Sequence, residues 1–513
     1  MPIPPDAFFL DHGAGLPLQV QLRRQIIAAV TAGRFRAGEK LPSTRALARH
    51  LGVARVTVAQ AFAELVSTDY LASRDRAGHF ISDAIERHLE AEPAGSVPAL
   101  APAVPRFDWD SKLEGRFGSA RRSDRERDWR RFAYPFIYGQ ADPTLVDHAA
   151  WRDCAMRTLG RREFDSVTGD LYDADDAELV DHIARQILPR RGIAAHQGEI
   201  LLTMGAQNAL WLAAQVLLRP GASCAVEDPS YPGQREILSA SGARLLPVPV
   251  DAHGLPPDAV PAGVAAVFTT ASHQCPTNST MPLARRKELL ARAEAQGFAV
   301  VEDDYEFEMS FAGAPSPALK AIDRAGAVIY IGSFSKSVFP GVRLGYLVAD
   351  PRFIAEARAL RGMALRHPPG HMQRTLAHFL SLGHYDAQAN RMRRAYARRR
   401  AVMLEAIARE GLQLASPEAN GGSSFWLATG GVDSSALTEA LKARDVLIEP
   451  GWPFFADPAR GRGFFRLAYS SISAERIPEG IRRIAEAIRS EPHGNVMASR
   501  LTKPGSDGFQ EEP

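Results

Sequence analysis

Apolar residues in the first 81 positions recur with a helical period. The stretch PLQVQLRRQIIAAVTAG has apolar side chains at every fourth position behind a proline, which is favoured at a helix start, and predicts a first amphipathic helix. LPSTRALARHLGV predicts a second, short helix, because Ser43 can cap its N-terminus and Gly52 can end it. RVTVAQAFAELVSTDYL predicts a third helix with Val58, Phe62 and Leu65 on its buried face. Two short helices joined by a tight glycine turn predict a helix-turn-helix.

Residues 71–81 follow the third helix and are predicted to close as a hairpin around Gly78, with Arg74 and Arg76 near its tip. The first 81 residues carry ten Lys and Arg against six Asp and Glu, so their net charge of +4 exceeds the +2 of the whole chain. A basic segment that coincides with a helix-turn-helix indicates a DNA-binding module. A three-helix bundle of another function would show the same apolar pattern, and the pattern alone leaves both interpretations open.

Regular periodicity ends at Ser82 and resumes near residue 131. EAEPAGSVPALAPAVP holds four prolines in sixteen residues and RRSDRERDWRR is a run of mixed charge, so residues 83–130 are predicted to be a linker. The charged run fits either a solvated linker or a second DNA contact. We therefore expect a DNA-binding domain over residues 1–82, a linker over 83–130, a large domain over 131–492 and a disordered tail over 493–513.

Beyond the linker, short apolar runs alternate with helical stretches. The runs are EILLT, SCAVED, ARLLPVPV, AAVFTT, FAVVEDD, AVIYIGS and LGYLVAD. This alternation predicts an α/β domain with a mainly parallel sheet that is covered by helices on both faces. Ligands of such sheets bind beyond the carboxyl ends of the strands, and the polar clusters of this sequence follow those ends.

The composition is that of an ordinary folded protein. The 513 residues are 45% hydrophobic and 23% charged, and a chain of this length is expected to form two or more domains. No apolar run approaches the ~20 residues that span a bilayer, and the N-terminus lacks the regions of a secretion signal. Cys154, Cys224 and Cys275 are too few and too scattered for a disulfide framework or a zinc site. We expect a cytoplasmic protein with no membrane partner and no bound metal.

Polar residues that follow the predicted strands have the chemistry of a pyridoxal 5′-phosphate (PLP) site. A glycine that opens a helix exposes backbone N–H groups to a phosphate, and a tyrosine can stack on a ring. A carboxylate can keep a pyridine nitrogen protonated, and a lysine can form a Schiff base. Each signal alone has a simpler explanation: capping or a metal site for the carboxylates, packing for the tyrosine, a solvated loop for the lysine. The candidates are Gly205, Ala206, Gln207, Tyr231, the cluster Glu302-Asp303-Asp304-Tyr305, Ser333, Lys336 and Arg343.

Residues 15–82 resemble the GntR-type winged helix, most closely at GEKLPSTRALARHLGV and RVTVAQAFAELVSTDYL. In that family the arginine of the LPSxR stretch and the polar residues that open the recognition helix meet phosphates and base edges, while the wing reaches the minor groove. The resemblance implies contacts with double-stranded DNA from Arg45, Arg55, Thr57 and Gly78. Two positions differ from the family: Ala54 stands where a Ser or Thr often caps the recognition helix, and Arg76-Ala77 replaces Gly-Ser.

Residues 135–490 resemble the class I aminotransferases of fold type I, most specifically at SFSKSVFPGVRLGY, VEDDYEFE and ASHQCPTN. The resemblance implies that PLP forms a Schiff base with Lys336, with Asp303 at its pyridine nitrogen and Tyr305 at its ring hydroxyl. It also implies that Tyr231 stacks on the ring. The residues that would bind the phosphate are Gly205, Ala206, Gln207, Ser333 and Arg343.

Three further positions follow from the same resemblance. The segment FFRLAYSS is similar to the one that supplies an arginine for a substrate carboxylate, which implies that Arg466 binds the carboxylate of a ligand. The family's HNPTG run appears as HQCPTN, and Gln274 is the candidate to replace the missing asparagine at the ring hydroxyl. The family's GYGDPxGxxxLR run is shortened around Tyr172, the candidate for a contact across a dimer interface.

A GntR-type winged helix, a linker and an aminotransferase-like domain in this order resemble the MocR/GabR-type regulators across nearly the whole chain. In that family the PLP domain senses an amine or amino-acid ligand by forming a Schiff base with it, and a dimer carries two DNA-binding heads. The resemblance implies a homodimeric transcriptional regulator with an operator DNA and a small amine effector as partners. The alternative is an active aminotransferase that carries a DNA-binding module. The altered HQCPTN and the shortened tyrosine segment favour the sensor.

Overall fold

The computed structural model describes residues 2–11, 15–74, 77–84, 109, 112–113, 126–311, 316–416 and 421–491. The chain divides into two compact units, Met1–Glu114 and Gly115–Pro513. The predicted tail over residues 493–513, and most of the predicted linker over 83–130, lie outside the described residues.

The N-terminal unit contains the three helices and the hairpin in the predicted order. They are α1 (Leu18–Thr31), α2 (Thr44–Leu51), α3 (Arg55–Ser67), β1 (Leu71–Arg74) and β2 (Gly78–Ile81). The Ser43 hydroxyl accepts a hydrogen bond from the Ala46 N–H at 3.1 Å, and Gly52 ends α2 in a left-handed conformation with φ of 66°. Both predicted caps are confirmed. Ala54 precedes α3 and makes no capping hydrogen bond with its side chain.

The core of this unit is built from the residues that the helical period predicts. Phe62 of α3 is fully buried, and α1 and α2 contribute apolar side chains to the same cluster. The hairpin is antiparallel, with Leu71 opposite Ile81 and Arg74 opposite Gly78. Leu71 and Ile81 both belong to the core cluster, so the base of the wing is fixed to the helices.

A seven-stranded sheet forms the centre of the second unit, and the short strand β3 (Tyr134–Pro135) precedes this sheet in the chain. The seven strands are β4 (Ile200–Thr203), β5 (Ser223–Asp228), β6 (Arg244–Pro249), β7 (Ala266–Thr269), β8 (Ala299–Asp303), β9 (Val328–Ser333) and β10 (Gly345–Val348). Their order is β4-β10-β9-β8-β7-β5-β6, and β10 is antiparallel to both of its neighbours. The remaining pairings in this sheet are parallel. Every predicted apolar run is a strand, and the mainly parallel sheet is confirmed.

Apolar side chains cover both faces of this sheet. Along β4, Ile200 and Leu202 join one buried cluster and Leu201 joins another. This alternation follows from the pleat of a strand that is buried on both sides. The helices of the second unit are α4 (His148–Thr158), α5 (Phe164–Thr168), α6 (Ala177–His182), α7 (Ala206–Leu217), α8 (Pro232–Ala240), α9 (Leu283–Gln296), α10 (Leu319–Ile322), α11 (Pro351–Leu365), α12 (Gly370–Ser381), α13 (His384–Glu410), α14 (Ser434–Lys442), α15 (Pro458–Gly461) and α16 (Ile477–Ser490).

A smaller antiparallel sheet follows in the C-terminal part of this unit. It consists of β11 (Ser424–Ala428), β13 (Glu449–Pro450) and β14 (Phe464–Ala468) in the order β11-β14-β13. Strand β12 (Val446–Leu447) pairs in parallel with β3. In the part of the chain that the structure describes, no helix is long and apolar enough to cross a membrane. The same residues contain no group of three or more His, Cys, Asp or Glu that could hold a metal ion.

Candidate cofactor site and DNA-binding surface

A cavity of about 270 Å³ lies where strands β8 and β9 and helix α7 meet. Eight of the ten residues predicted to bind the cofactor line it, because the carboxyl ends of parallel strands meet at one edge of a sheet. These are Ala206, Gln207, Tyr231, Asp303, Tyr305, Ser333, Lys336 and Arg343. Arg466 also lines the cavity, and so do further residues to which the sequence analysis gave no role in the site, among them Tyr138, Gln140 and Cys275.

Lys336 lies three residues beyond the end of β9, in the turn that faces the cavity. Its Nζ is 4.2 Å from the centre of the Tyr138 ring. A side chain at Gly139 would come within 3.0 Å of the same Nζ, so the backbone of this neighbouring segment lies against the amine. The lysine is therefore held in a confined position and not on an open surface.

Asp303, the last residue of β8, is a buried carboxyl at the floor of the cavity. Its Oδ1 has no hydrogen-bond partner among the described residues. Burial, and then the charge of Asp304, raise the pKa of Asp303 from 3.8 to about 7, although the Lys336 ammonium opposes them. A buried acceptor without a partner fits a protonated ring nitrogen, which would supply the missing donor and favour the ionised carboxylate.

Asp304, the next residue, has a different environment. It receives hydrogen bonds from Arg191 at 2.7 Å and from the Tyr330 hydroxyl at 2.9 Å. Burial raises the pKa of Asp304, but the Arg191 guanidinium and these hydrogen bonds lower it more. The pKa of Asp304 is therefore lower than its ordinary value, and the carboxyl is ionised at neutral pH. The two adjacent carboxyls thus have distinct roles. Asp304 is hydrogen-bonded within the protein at the end of the strand, and Asp303 faces the cavity.

The other end of the cavity has the features of a phosphate site. Gly205 immediately precedes α7 and has φ of 80° and ψ of 175°, a conformation that favours glycine. A side chain there would lie 3.4 Å from the Arg343 guanidinium. Ser333 ends β9 nearby, and the first N–H groups of α7 point outward from the helix start. A cation, a hydroxyl and a helix N-terminus around a glycine fit the phosphate of PLP.

Tyr231 lies at the side of the cavity, immediately before α8. Its hydroxyl accepts a hydrogen bond from Gln207 Nε2 at 2.9 Å. This contact links the start of α7 to the start of α8 and fixes the tyrosine ring beside the cavity. The Tyr231 ring therefore presents a flat apolar surface on which a ligand ring could stack.

The HQCPTN loop brings Cys275, and not Gln274, to the cavity. The Gln274 Nε2 donates to the Pro229 carbonyl at 2.7 Å, and its Oε1 accepts from the Thr277 hydroxyl at 2.6 Å. Gln274 thereby shapes the loop from within. Cys275 directly precedes Pro276, as the asparagine directly precedes the proline in the family's HNPTG run. This position was the sequence signal for Cys275. Burial raises the pKa of the Cys275 thiol to about 11, so it is a neutral group at neutral pH.

Tyr305 lines the cavity as predicted, and its hydroxyl donates to the His273 carbonyl at 2.8 Å. Burial raises the pKa of Tyr305 above its ordinary value, so the hydroxyl stays a donor. Tyr172, the candidate for an intersubunit contact, is 73% exposed and has a positive φ of 58°. Its side chain is directed to solvent in the single chain.

Arg466 is buried in the middle of β14 but its charge is already paired. Its Nε and Nη2 donate to the Glu449 carboxylate at 2.9 and 3.0 Å. Burial lowers the pKa of Arg466, and the Glu449 charge raises it above its ordinary value, so the guanidinium stays charged. The arginine predicted to receive a ligand carboxylate is thus half of an internal ion pair, which the sequence analysis missed.

The predicted DNA-contacting residues lie on α2, α3 and the wing. Arg45 of α2 and Arg55 at the start of α3 are exposed, and Arg55 Nε donates to the Thr44 hydroxyl at 3.3 Å. Thr57 is half-buried two residues further along α3. Gly78 begins the second wing strand with φ of 102°. Arg76 lies outside the described residues.

Models of two protein families match separate parts of this chain. The model of the gntR family of bacterial regulatory proteins matches residues 18–81, and the model of class I and II aminotransferases matches residues 166–484. The HTH-type transcriptional regulator TauR of Rhodobacter capsulatus is 56% identical over 95% of this chain and 100% of its own length. The probable rhizopine catabolism regulatory protein MocR of Rhizobium meliloti is 28% identical over 96% of this chain and 98% of its own.

Solved structures resemble the second unit. The α-aminoadipate aminotransferase LysN of Thermus thermophilus, in complex with N-(5′-phosphopyridoxyl)-L-leucine, has a TM-score of 0.67 and 29% identity. It covers 75% of this chain and 98% of its own. The kynurenine aminotransferase of Pyrococcus horikoshii has a TM-score of 0.64 and 26% identity, and covers 75% of this chain and 95% of its own.

A GntR-type winged helix and a class I aminotransferase domain on one chain define a transcriptional regulator with an enzyme-like domain. The chain belongs to the MocR-type family of HTH transcriptional regulators. The resemblance inferred from the sequence is therefore confirmed at the level of the family and of the fold.

Proposed function

We propose that this transcriptional regulator binds double-stranded operator DNA through its winged helix and senses an amine or amino-acid effector by Schiff-base exchange at Lys336 of a PLP-containing site. The observation that carries the proposal is the convergence on one cavity of Lys336, the Asp303 carboxyl with its unpartnered Oδ1, and Arg343, which lies against Gly205 at the start of α7. PLP supplies a reactive aldehyde and an electron-withdrawing ring when it is bound.

In this proposal each end of the cavity holds one part of the cofactor. Asp303 pairs with the pyridine nitrogen, and Tyr305 orients the ring hydroxyl. Tyr231 packs against the ring face. The phosphate is bound by Gly205, Ala206, Gln207, Ser333 and Arg343.

The proposed assembly is a homodimer, so that two winged helices can meet two half-sites of an operator. The proposed boundaries are those expected from the sequence, with a DNA-binding domain over residues 1–82 and a linker over 83–130. Arg45, Arg55, Thr57 and Gly78 form the proposed DNA surface, in support of which Arg45 and Arg55 are exposed on neighbouring helices of one unit.

The second candidate function is an active aminotransferase. It is supported by the retained cavity residues and by the likeness to LysN, an aminotransferase. The Glu449–Arg466 ion pair favours the sensor, because a ligand carboxylate that displaces Glu449 would use its binding energy to rearrange the protein and not to stabilise a transition state. Multiple-turnover release of a keto acid from a panel of amino acids would favour the enzyme.

Replacing Lys336 with alanine tests the sensor. Purified wild-type protein with PLP should show a visible absorption band that Lys336→Ala lacks, while the exposed control Lys287→Ala keeps it. An amine that changes this band should change operator affinity of wild type by about 5- to 150-fold and leave Lys336→Ala unaffected. A borohydride-reducible adduct at another lysine would contradict the assignment of Lys336. Operator binding that ignores every amine which changes the band would contradict the sensor.

Replacing Arg45 and Arg55 with alanine tests the DNA surface. Loss of one good bidentate contact costs about 1–3 kcal/mol, so the double variant should bind the promoter region of its own gene at least about tenfold more weakly at fixed salt. Arg34→Ala, which removes an exposed arginine outside the proposed surface, is the matched control. Equal gel-shift affinities of wild type and the double variant would exclude this surface.

A further inference from the structure

The Glu449 carboxylate joins two groups that border the cofactor cavity. Glu449 faces Arg466 across the β13–β14 pairing and binds it through both oxygens, at 2.9 and 3.0 Å. Its Oε2 also accepts a hydrogen bond from the backbone N–H of Tyr138 at 3.0 Å. The side chain of Glu449 is 18% exposed and that of Arg466 is 5% exposed, so water screens this pair little. One carboxylate therefore holds both the guanidinium and the Tyr138 backbone.

The Tyr138 ring contacts both the reactive amine and the guanidinium. Its centre is 4.2 Å from Lys336 Nζ and 4.2 Å from Arg466 Cζ. Tyr305 meets the same ring edge-on, with 6.2 Å between the ring centres. A ligand that placed an amine at Lys336 and an anionic group at Arg466 would have to pass through the space that this ring borders. Such a ligand therefore meets both Tyr138 and Glu449.

An amine with an anionic group and an amine without one interact differently with the Glu449–Arg466 pair. A ligand anion at Arg466 would lie beside the Glu449 carboxylate, and two like charges at one guanidinium in a poorly screened site repel. An anion that binds Arg466 through Nε and Nη2 must therefore displace Glu449 from them. An amine without an anionic group can reach Lys336 with the ion pair intact. The pair thus distinguishes the two classes of ligand.

We propose that Glu449 is a specificity-determining residue: the anionic group of an amine ligand exchanges with Glu449 for Arg466, and this exchange releases the backbone N–H of Tyr138. The inference rests on the proposed sensing of amines at Lys336. The released segment, residues 134–140, comes directly after the predicted linker in the sequence and contains β3, which is held to β12 by main-chain pairing. Through Glu449, an anionic group on the ligand therefore removes a hydrogen bond that holds residues 134–140.

Glu449→Gln tests the exchange in the full-length protein with PLP bound. The glutamine can still accept the Tyr138 N–H but cannot compete as an anion for Arg466. The probes are three pairs of an amino acid and its amide: glycine, β-alanine and 4-aminobutanoate, each with the corresponding carboxamide. Dissociation constants come from absorption titrations. The variant should raise the preference for acid over amide by about tenfold or more, as expected for close charge pairs.

A surface variant and a backbone measurement complete the test. Glu475→Gln makes the same change at an exposed glutamate that pairs with Arg398 at 2.9 Å, and it should leave the preference unchanged. In wild type, amide hydrogen exchange of the peptide that contains Tyr138 should become faster with the acids and not with the amides. This second readout needs no variant, so it decides the question even if Glu449→Gln fails to fold.

The outcomes separate the inference from the proposed function. An unchanged acid-to-amide preference in Glu449→Gln, or equal exchange of the Tyr138 peptide with acids and amides in wild type, would overturn the role of Glu449 while amine sensing stands. If no amine changes the spectrum of wild type or of Glu449→Gln, the proposed sensing at Lys336 fails, and the inference fails with it.

Discussion

Asp303→Asn should stabilise the cofactor-free protein more at high pH than at low pH. Burial, and then the charge of Asp304, raise the pKa of Asp303 from 3.8 to about 7, so the folded protein resists ionisation of this carboxyl. The unfolded chain ionises it at the ordinary pKa. The contribution of the neutral carboxyl to stability is therefore complete below the unfolded pKa and is lost as the pH rises through the folded pKa. Asparagine does not titrate.

The size of the effect follows from the two pKa values. Within that interval each pH unit costs the wild-type protein up to about 1.4 kcal/mol, and the slope falls off near the folded pKa, so about 2.5 kcal/mol is lost relative to the variant between pH 5 and pH 8. Above the folded pKa the difference is constant. The cost of burying the Asn amide does not depend on pH and cancels when two pH values are compared. For a domain of this size the change corresponds to roughly 5 °C in the unfolding midpoint.

Thermal unfolding followed by circular dichroism measures this difference. Wild type, Asp303→Asn and the exposed control Asp258→Asn are compared without cofactor at about pH 5 and pH 8. The advantage of Asp303→Asn over wild type should grow by roughly 5 °C at the higher pH, while the control follows wild type. Added PLP should reverse the order at the higher pH, because the wild-type carboxylate gains a protonated partner. An advantage of equal size at both pH values would refute the raised pKa of Asp303.

Two further changes test the two units separately. Phe62→Ala leaves a cavity in the core of the winged helix and should cost this unit about 3–5 kcal/mol of stability. Operator binding should be lost while the PLP band is kept. A fully stable winged helix would contradict the assignment of Phe62 to the core. Gly205→Ala strains a backbone at φ of 80° and places a methyl group 3.4 Å from Arg343, so it should weaken PLP binding about tenfold. The control Gly221→Ala has a similar φ of 84° but open space around it, and it should leave PLP binding intact.

Local signals predicted most of the fold. The helix-turn-helix follows from a capping serine, a terminating glycine and one apolar stripe, all of which act within a few residues of the chain. The central strands are short apolar runs because both faces of the sheet are covered. The site residues were predicted for a related reason. Each lies at or after the end of a strand, and the topology of a parallel sheet brings those ends together, while the family resemblance supplied the role of each residue.

The remaining features depend on contacts between distant parts of the chain. Arg466 and Glu449 are 17 residues apart, and Tyr138 is 311 residues from Glu449, so no local pattern links the three. Their meeting depends on the register of β13 against β14 and on the path of the segment after β3. The choice between Gln274 and Cys275 depends on which of two adjacent side chains the loop turns inward. Sequence spacing specifies neither register nor loop direction.

The Glu449–Arg466 pair suits a sensor because it changes what ligand binding does to the protein. An effector can shift a conformational equilibrium only by its differential affinity for the two states. In the proposed exchange the Arg466 charge is neutralised before and after binding, first by Glu449 and then by the ligand, so the guanidinium is never buried alone. The states differ in the position of Glu449 and in the hydrogen bond of the Tyr138 N–H. Binding energy that an enzyme would use to stabilise a transition state is thereby available to move residues 134–140.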